Sequence, residues 1–270
     1  MFDLNKIYCG DCLDLMKNMP DKSIDLVLTD PPFGISFKSN IRLNKFDFIE
    51  GDLDLSFLPP FIEQCFRLLQ ENTAFYCFTH WRTYSTFFET IKKTFAIKNC
   101  IIAPKAKRSM HGDLKASFAP FYDMLIYANK GRCFFEKTEY RLADNHGSRF
   151  SPEPFRGYVY RYEDLVSIPS TVNDGSMASE SKHPTIKNVE LMKFFISLSS
   201  KQGDLILDPF CGSGTTCVAA KLLGRNYIGI EISEVYADIA RKRLANTEAC
   251  LFTPQKVKND CSRDGGLYGS

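Results

Sequence analysis

Apolar residues along this chain fall into two rhythms. Ile24 to Leu28, Ala74 to Phe78, Leu205 to Leu207 and Tyr227 to Ile230 are short, nearly continuous aliphatic and aromatic runs, the mark of strands covered on both faces. Lys98 to Ala103 and Met124 to Ala128 read as two more strands, with Lys130-Gly131 as a turn. Between them the spacing changes to that of helices. Leu13, Met16 and Met19 share one side of a short helix; Tyr84, Phe87, Phe88 and Ile91 recur at core spacing after His80-Trp81-Arg82; Leu191, Phe194, Phe195 and Leu198 line another helix. Trp81 is read with that second group, as packing. Strands alternating with helices predict an α/β fold built on parallel strands.

The first strand ends abruptly in Thr29-Asp30-Pro31-Pro32-Phe33. Two prolines lack the N–H donors a ladder needs, so the strand stops there. Left at its carboxyl end are one carboxylate, carbonyls without sheet partners and an aromatic ring, at the edge where open α/β sheets bind ligands. An exocyclic amino group of a nucleobase suits this corner. Its lone pair is delocalised into the ring and it presents two N–H donors, which Asp30 and the carbonyl beside Pro31 can accept while charge develops on nitrogen. Phe33 offers a face for stacking. A plain strand-to-loop turn is the competing reading of these residues taken alone.

A second corner lies far downstream. Leu205 to Leu207 runs into Asp208-Pro209-Phe210-Cys211-Gly212-Ser213-Gly214-Thr215-Thr216, a strand, a glycine-rich turn and a helix start. Gly212 and Gly214 let a ligand approach the backbone, Thr215 and Thr216 are expected to cap the helix, and Gly224 to close it. The following strand ends in Glu231, where a nucleotide-binding βαβ unit puts the acid that accepts ribose hydroxyls. A P-loop would require Gly-Lys-Ser/Thr, and no lysine follows Gly214; a dinucleotide loop would require a third glycine, and the run reads Gly-Ser-Gly-Thr-Thr-Cys. Asp208 beside the loop disfavours an anionic ligand and suits a cationic one.

Taken together, Asp30-Pro31-Pro32-Phe33, the Asp208 to Thr216 loop, Gly10-Asp11-Cys12 and Lys182-His183-Pro184-Thr185 resemble the beta class of amino DNA methyltransferases. The family signature is Asp/Asn/Ser-Pro-Pro-Tyr/Phe, and the four motifs stand here in that class's order from about Ile7 to Leu244. The resemblance implies a doubly wound Rossmann-like methyltransferase sheet, circularly permuted, with a small target-recognition insertion. It assigns Asp208, Pro209, Phe210, Gly212, Ser213, Gly214 and Thr215 to S-adenosylmethionine, Glu231 to its ribose, Asp11 with Cys12 to the adenine side, and His183 and Thr185 to the methionine moiety. Two positions depart from the pattern. Asn188 stands where many members have proline, and Phe33 replaces the commoner tyrosine, which leaves the stacking face intact.

At 270 residues and 44% hydrophobic, the chain can bury a full core. One catalytic domain is expected from 1–103 and 165–247, interrupted by a DNA-contacting insertion at 104–164 and followed by a disordered tail at 248–270. Apolar runs are too short for a bilayer and the amino end lacks a signal-peptide pattern, so a cytoplasmic protein is expected. Ten scattered cysteines, Cys9 and Cys12 included, read as small hydrophobes rather than metal ligands or a disulfide framework. Net charge is only +2. From Lys105 to Arg161, however, eleven Lys/Arg stand against six Asp/Glu, a local +5, interleaved with aromatics. Lys105, Lys107, Arg108, Arg132, Arg141, Arg149 and Arg156, with Lys38 and Arg42 in the loop after the first corner, are the candidate DNA contacts; a solvated basic face over a small satellite core, or a surface loop, is the bland alternative.

The resulting expectation is an enzyme that moves the S-adenosylmethionine methyl group onto adenine N6 in a specific duplex sequence, with the target base flipped out of the helix. Adenine is favoured over cytosine N4 because family members with Asp at the first motif position mostly act on adenine, whereas Ser is commoner for cytosine. An RNA methyltransferase and a catalytically inactive DNA-binding subunit remain as rivals. A cognate restriction endonuclease and a homodimer are the further partners the resemblance raises.

Overall fold

The computed structural model describes residues 2–35, 54–104, 122–133, 135 and 187–248. In chain order these form β1 (Lys6–Cys9), α1 (Cys12–Lys17), β2 (Ile24–Thr29), α2 (Leu58–Leu68), β3 (Leu69–Thr79), α3 (Tyr84–Ile91), β4 (Ala96–Pro104) and β5 (Tyr122–Lys130). They continue with α4 (Val189–Ser199), β6 (Leu205–Asp208), α5 (Thr215–Leu222), β7 (Asn226–Glu231) and α6 (Glu234–Ala245). The strands form one seven-stranded sheet in the order β1-β7-β6-β2-β3-β5-β4. Pairing is parallel except that β5 runs antiparallel to both β3 and β4.

Helices cover both faces, as the continuous apolar strands require. On one face α4, α5 and α6 pack against Leu26, Leu28, Tyr76, Phe78, Leu125 and Ile206. On the other α1, α2 and α3 pack against Val27, Phe75, Cys77, Ile126 and Leu207. Alternate side chains of each strand therefore feed different helix layers. This is a doubly wound Rossmann-like fold.

Strand order decides where a ligand can sit. From the β6–β2 boundary the sheet grows outward in both directions, through β7 to β1 and through β3 to β5 and β4. Helices leave opposite faces on either side of such a boundary, so a crevice opens at the carboxyl ends of β6 and β2. Both sequence corners, one after β2 and one after β6, open into it.

Glycine makes one close packing possible. Gly229 sits in the middle of β7, and a Cβ there would lie 2.5 Å from Ile7 Cδ1, 2.9 Å from Cys217 Sγ and 3.0 Å from Cys211 Sγ. The glycine loop and α5 thus rest directly on β7.

Candidate active site at the switch point

The two corners are joined by a hydrogen bond. Thr29 Oγ1, one residue before Asp30, donates to Asp208 Oδ1 at 2.9 Å, and Phe210 N donates to the same oxygen at 3.2 Å. Asp208 is buried, with 3% of its surface exposed. Burial pushes its carboxyl up to about 7, against the downward pull of the Thr216 and Thr29 hydroxyls and the Phe210 N–H. The carboxylate therefore ties β6 to β2 and shapes the turn.

Thr215 and Thr216 do not cap α5. The N-cap is Gly214, in the left-handed region at φ +80°, with no side-chain cap hydrogen bond. Both threonines are buried; Thr216 points at Asp208 and Thr215 Oγ1 accepts from Arg243 at 2.9 Å. A glycine at the cap removes the penalty of positive φ, and it also lets α6 approach: a Cβ on Gly214 would stand 3.0 Å from the Ala240 Cβ. Gly224 follows the helix at φ +69°, ending it as expected.

Glu231 closes the other side of the loop. Its Oε2 accepts from Gly212 N and its Oε1 from Ser233 N, each at 2.9 Å. Burial raises its pKa, opposed by those backbone donors. Beside it Ile232, an apolar residue, is half exposed at 52%. Across the β1–β7 ladder, where Cys9 pairs with Glu231, comes Asp11. One oxygen of Asp11 caps α1, accepting from Leu13 N at 2.7 Å and Asp14 N at 3.1 Å, while the residue itself is exposed. Cys12 is buried in the core beneath it. Asp11, Asp30, Asp208 and Glu231 all lie at one edge of the sheet; with Asp208 buried and Asp30 paired to Lys187, Asp11 and Glu231 carry the rim's negative charge, which fits a cationic ligand with ribose hydroxyls.

Asp30 holds the centre of this edge. Its Oδ2 pairs with Lys187 Nζ at 2.8 Å, and Lys187 reaches Asp123 Oδ1 at 3.5 Å. The ammonium lies 4.7 Å from the Phe78 ring centroid and 5.8 Å from that of Phe33. Burial pulls its pKa down, but Asp30 and Asp123 outweigh that, and the net direction is up. The other oxygen, Asp30 Oδ1, is buried without a hydrogen-bond partner among the described residues. Lys187 and Asp123 were not picked out in the sequence. Lys187 is the last residue of the stretch that begins Lys182-His183-Pro184, and its aspartate partners lie on other elements, so spacing carried no signal. Asn188, the departure from proline, caps α4: its side chain accepts from Glu190 N at 2.8 Å.

Other expectations change. Trp81, read as packing, is 57% exposed in the turn after β3. It precedes α3, whose buried residues are Phe87 and Ile91, so helical spacing does not extend back to it. Arg132 follows β5, which runs antiparallel, and its N–H bonds Asn72 Oδ1 at 2.9 Å near the start of β3. Asp30 lies past Thr29, which pairs with Cys77. At 3.3 Å per residue the two positions on β3 are about 16 Å apart, so Arg132 lies at the opposite edge from the proposed chemistry. Lys130, from the same basic stretch, is buried and donates to Phe66 O at 2.8 Å and Leu69 O at 2.7 Å, capping the end of α2. Lys38, Arg42, Lys105, Lys107, Arg108, Arg141, Arg149, Arg156, His183 and Thr185 lie outside the described residues.

A doubly wound sheet whose switch point joins Asp-Pro-Pro-Phe to a glycine loop and an acid-tipped strand defines a class of enzyme. The DNA methylase family model matches residues 24–242, and the chain belongs to that family, the amino-directed, S-adenosylmethionine-dependent DNA methyltransferases. It is 31% identical over 265 residues to the type II methyltransferase M2.MboI of Moraxella bovis, covering 93% of this chain and 92% of that protein. It is 29% identical over 245 residues to the DNA adenine methyltransferase YhdJ of Escherichia coli, covering 87% and 81%. Among solved structures, the M1.HpyAVI–SAM complex superposes with a TM-score of 0.60 at 23% identity, covering 88% of this chain and 98% of that one.

Proposed function

We propose that this chain methylates adenine N6 in double-stranded DNA, at a base turned out of the duplex into the crevice between β6 and β2. The observation that carries the reading is the unpaired, buried Asp30 Oδ1 at that crevice. An acceptor left without a donor is costly in the folded state, and an aromatic amine supplies the missing N–H. The carbonyl beside Pro31 accepts the second hydrogen, and Phe33 stacks on the base. Together they fix the nitrogen lone pair in one direction and stabilise the positive charge that forms on it. Lys187 holds Asp30 in position through Oδ2, leaving Oδ1 to the substrate.

Asp11, Glu231 and the Gly212 to Gly214 backbone fit S-adenosylmethionine, with Ile232 supplying apolar surface next to the ribose acid. When bound there, that molecule supplies an activated methyl group on sulfur, so the protein's part is orientation and charge stabilisation. Asp208 acts through the turn it holds. His183 and Thr185 are assigned to the methionine end.

Adenine is favoured by aspartate at the first motif position and by the name of the 29%-identical relative. Within the stretch 104–164 set aside in the sequence as an insertion, β5 is a buried strand of the central sheet, so we assign sequence recognition to the stretches on either side of it, 105–121 and 136–164, whose basic and aromatic composition suits duplex contact. The tail 248–270 lies outside the catalytic domain. The Asp-Pro-Pro-Phe strand precedes the glycine-loop strand in the chain although the two are neighbours in the sheet, which supports a circularly permuted methyltransferase order. No helix among the described residues is long and apolar enough to cross a membrane; a cytoplasmic enzyme, paired with an endonuclease of the same specificity, is the setting we infer.

Transfer of labelled methyl from S-adenosylmethionine to unmethylated phage DNA, followed by nucleoside analysis, tests this. N6-methyladenine is expected from the native chain and none from Asp30→Ala. N4-methylcytosine as product would overturn the choice of base, and equal transfer by the variant would overturn the role of Asp30.

A further inference from the structure

A ladder of rings leads out of the catalytic corner. Phe33 stacks on His80 with centroids 6.2 Å apart and planes inclined by 29°. His80 lies 5.7 Å from Trp81, and the Arg82 guanidinium sits over the Trp81 ring at 5.2 Å. His80 to Arg82 follow the carboxyl end of β3, which pairs in parallel with β2, so the ladder runs along the same sheet edge as Asp30. Its inner end is packed and its outer end is open, with Trp81 57% exposed and Arg82 exposed as well.

Solvent is a poor neighbour for an indole of that size, and two features indicate what covers it. The ladder begins at the ring proposed to face the extruded base, so its next rung lies within reach of that base's neighbours in the strand. The outermost group is a guanidinium, which suits the phosphate joining them. We propose that Trp81 and Arg82 form a DNA-contacting strip, Trp81 stacking on a nucleobase adjacent to the extruded one and Arg82 meeting the neighbouring phosphate. This rests on the DNA methyltransferase reading above. Base–aromatic stacking tolerates any sequence, so the strip holds the opened strand while discrimination lies elsewhere.

Trp81 is the single tryptophan of the chain, so intrinsic emission reports on this one position. Titration of the full chain with a single-stranded oligodeoxyadenylate and with unmethylated phage DNA is expected to quench it in step with binding measured by filter retention. Trp81→Ala should weaken binding by roughly tenfold or more, the usual loss for one stacked base, and Trp81→Phe should keep most of the affinity. Melting curves of both variants establish that they fold. Binding with unchanged emission, or Trp81→Ala binding like the native chain, overturns the strip. Emission that shifts with protein concentration before any DNA is added assigns Trp81 to a contact between copies and overturns it too. Methyl transfer is measured on the same samples: transfer with a silent Trp81 refutes the strip alone, whereas absence of both transfer and binding refutes it together with the proposed function.

Discussion

Two carboxylates a short step apart at the sheet edge live in opposite surroundings, and each difference is measurable. Asp30 has a cation on one oxygen and, among the described residues, no hydrogen-bond partner on the other. If Lys187 positions it, Lys187→Met should lower kcat by about tenfold to a hundredfold, the scale of a misplaced reacting group, with a much smaller change in KM for S-adenosylmethionine. Lys187→Arg should restore most of the rate. Equal loss in both variants, tracking the folded fraction, would leave Lys187 a mere packing residue. Asp208, by contrast, is held by hydroxyls and one N–H in a buried pocket that lifts its carboxyl to about 7. An acid raised in the folded state favours folding most fully below its ordinary value and loses that contribution as pH climbs through the raised one. Asp208→Asn has no proton to lose, so its melting temperature relative to the native chain should rise from pH 4 to pH 8, by the equivalent of at most about 4 kcal/mol. A pH-independent difference would show that Asp208 does not titrate in this range.

At the level of elements, what could be read in advance depended on how local its cause is. Ile24 to Leu28 and Leu205 to Leu207 announced strands because a run covered on both faces is apolar at every position, and the proline pair ended the first. Trp81 misled because the apolar spacing of α3 was extended backward into the turn that precedes it. The threonines after Gly214 looked like caps, yet the positive φ at Gly214 turned both inward. Nothing in sequence spacing could pair Lys187 with Asp30 and Asp123, since only the assembled sheet brings β2, β5 and the approach to α4 together. Gly229 is a similar case. Read as one more residue of an apolar strand, it is the position that lets α5 and the glycine loop sit on β7. Gly229→Ala should therefore destabilise the protein by about 1–3 kcal/mol, the cost of overpacking a filled core, seen as a lower denaturant midpoint at unchanged slope. Since the nearest atom is the tip of Ile7, adding Ile7→Val should recover part of the loss. If Gly229→Ala melts like the native chain, the contact is looser than described.

For the molecule as a whole, the switch point divides the labour between the two halves of the sheet. In the proposed assignment, cofactor contacts fall to β6, β7 and β1, with their acids and glycine loop, and the substrate corner falls to β2 with its support from β3, β5 and Lys187. The halves meet through Thr29 and Asp208, and the assignment puts Glu231 on the cofactor's side and Asp30 on the base's. This separation has a thermodynamic signature. Cofactor present at a hundred times its dissociation constant stabilises the folded chain by about 2.7 kcal/mol, which for a chain of this size is a rise in melting temperature of roughly 5–10 °C. Asp30→Ala should keep that rise while abolishing methyl transfer. Glu231→Ala should lose most of it, and the comparison is between melts with and without cofactor, because Glu231 also holds Gly212 and Ser233 and its removal lowers the starting temperature. A cofactor-induced rise preserved in Glu231→Ala but lost in Asp30→Ala would reverse the two halves, and the crevice would then have to bind its ligands the other way round.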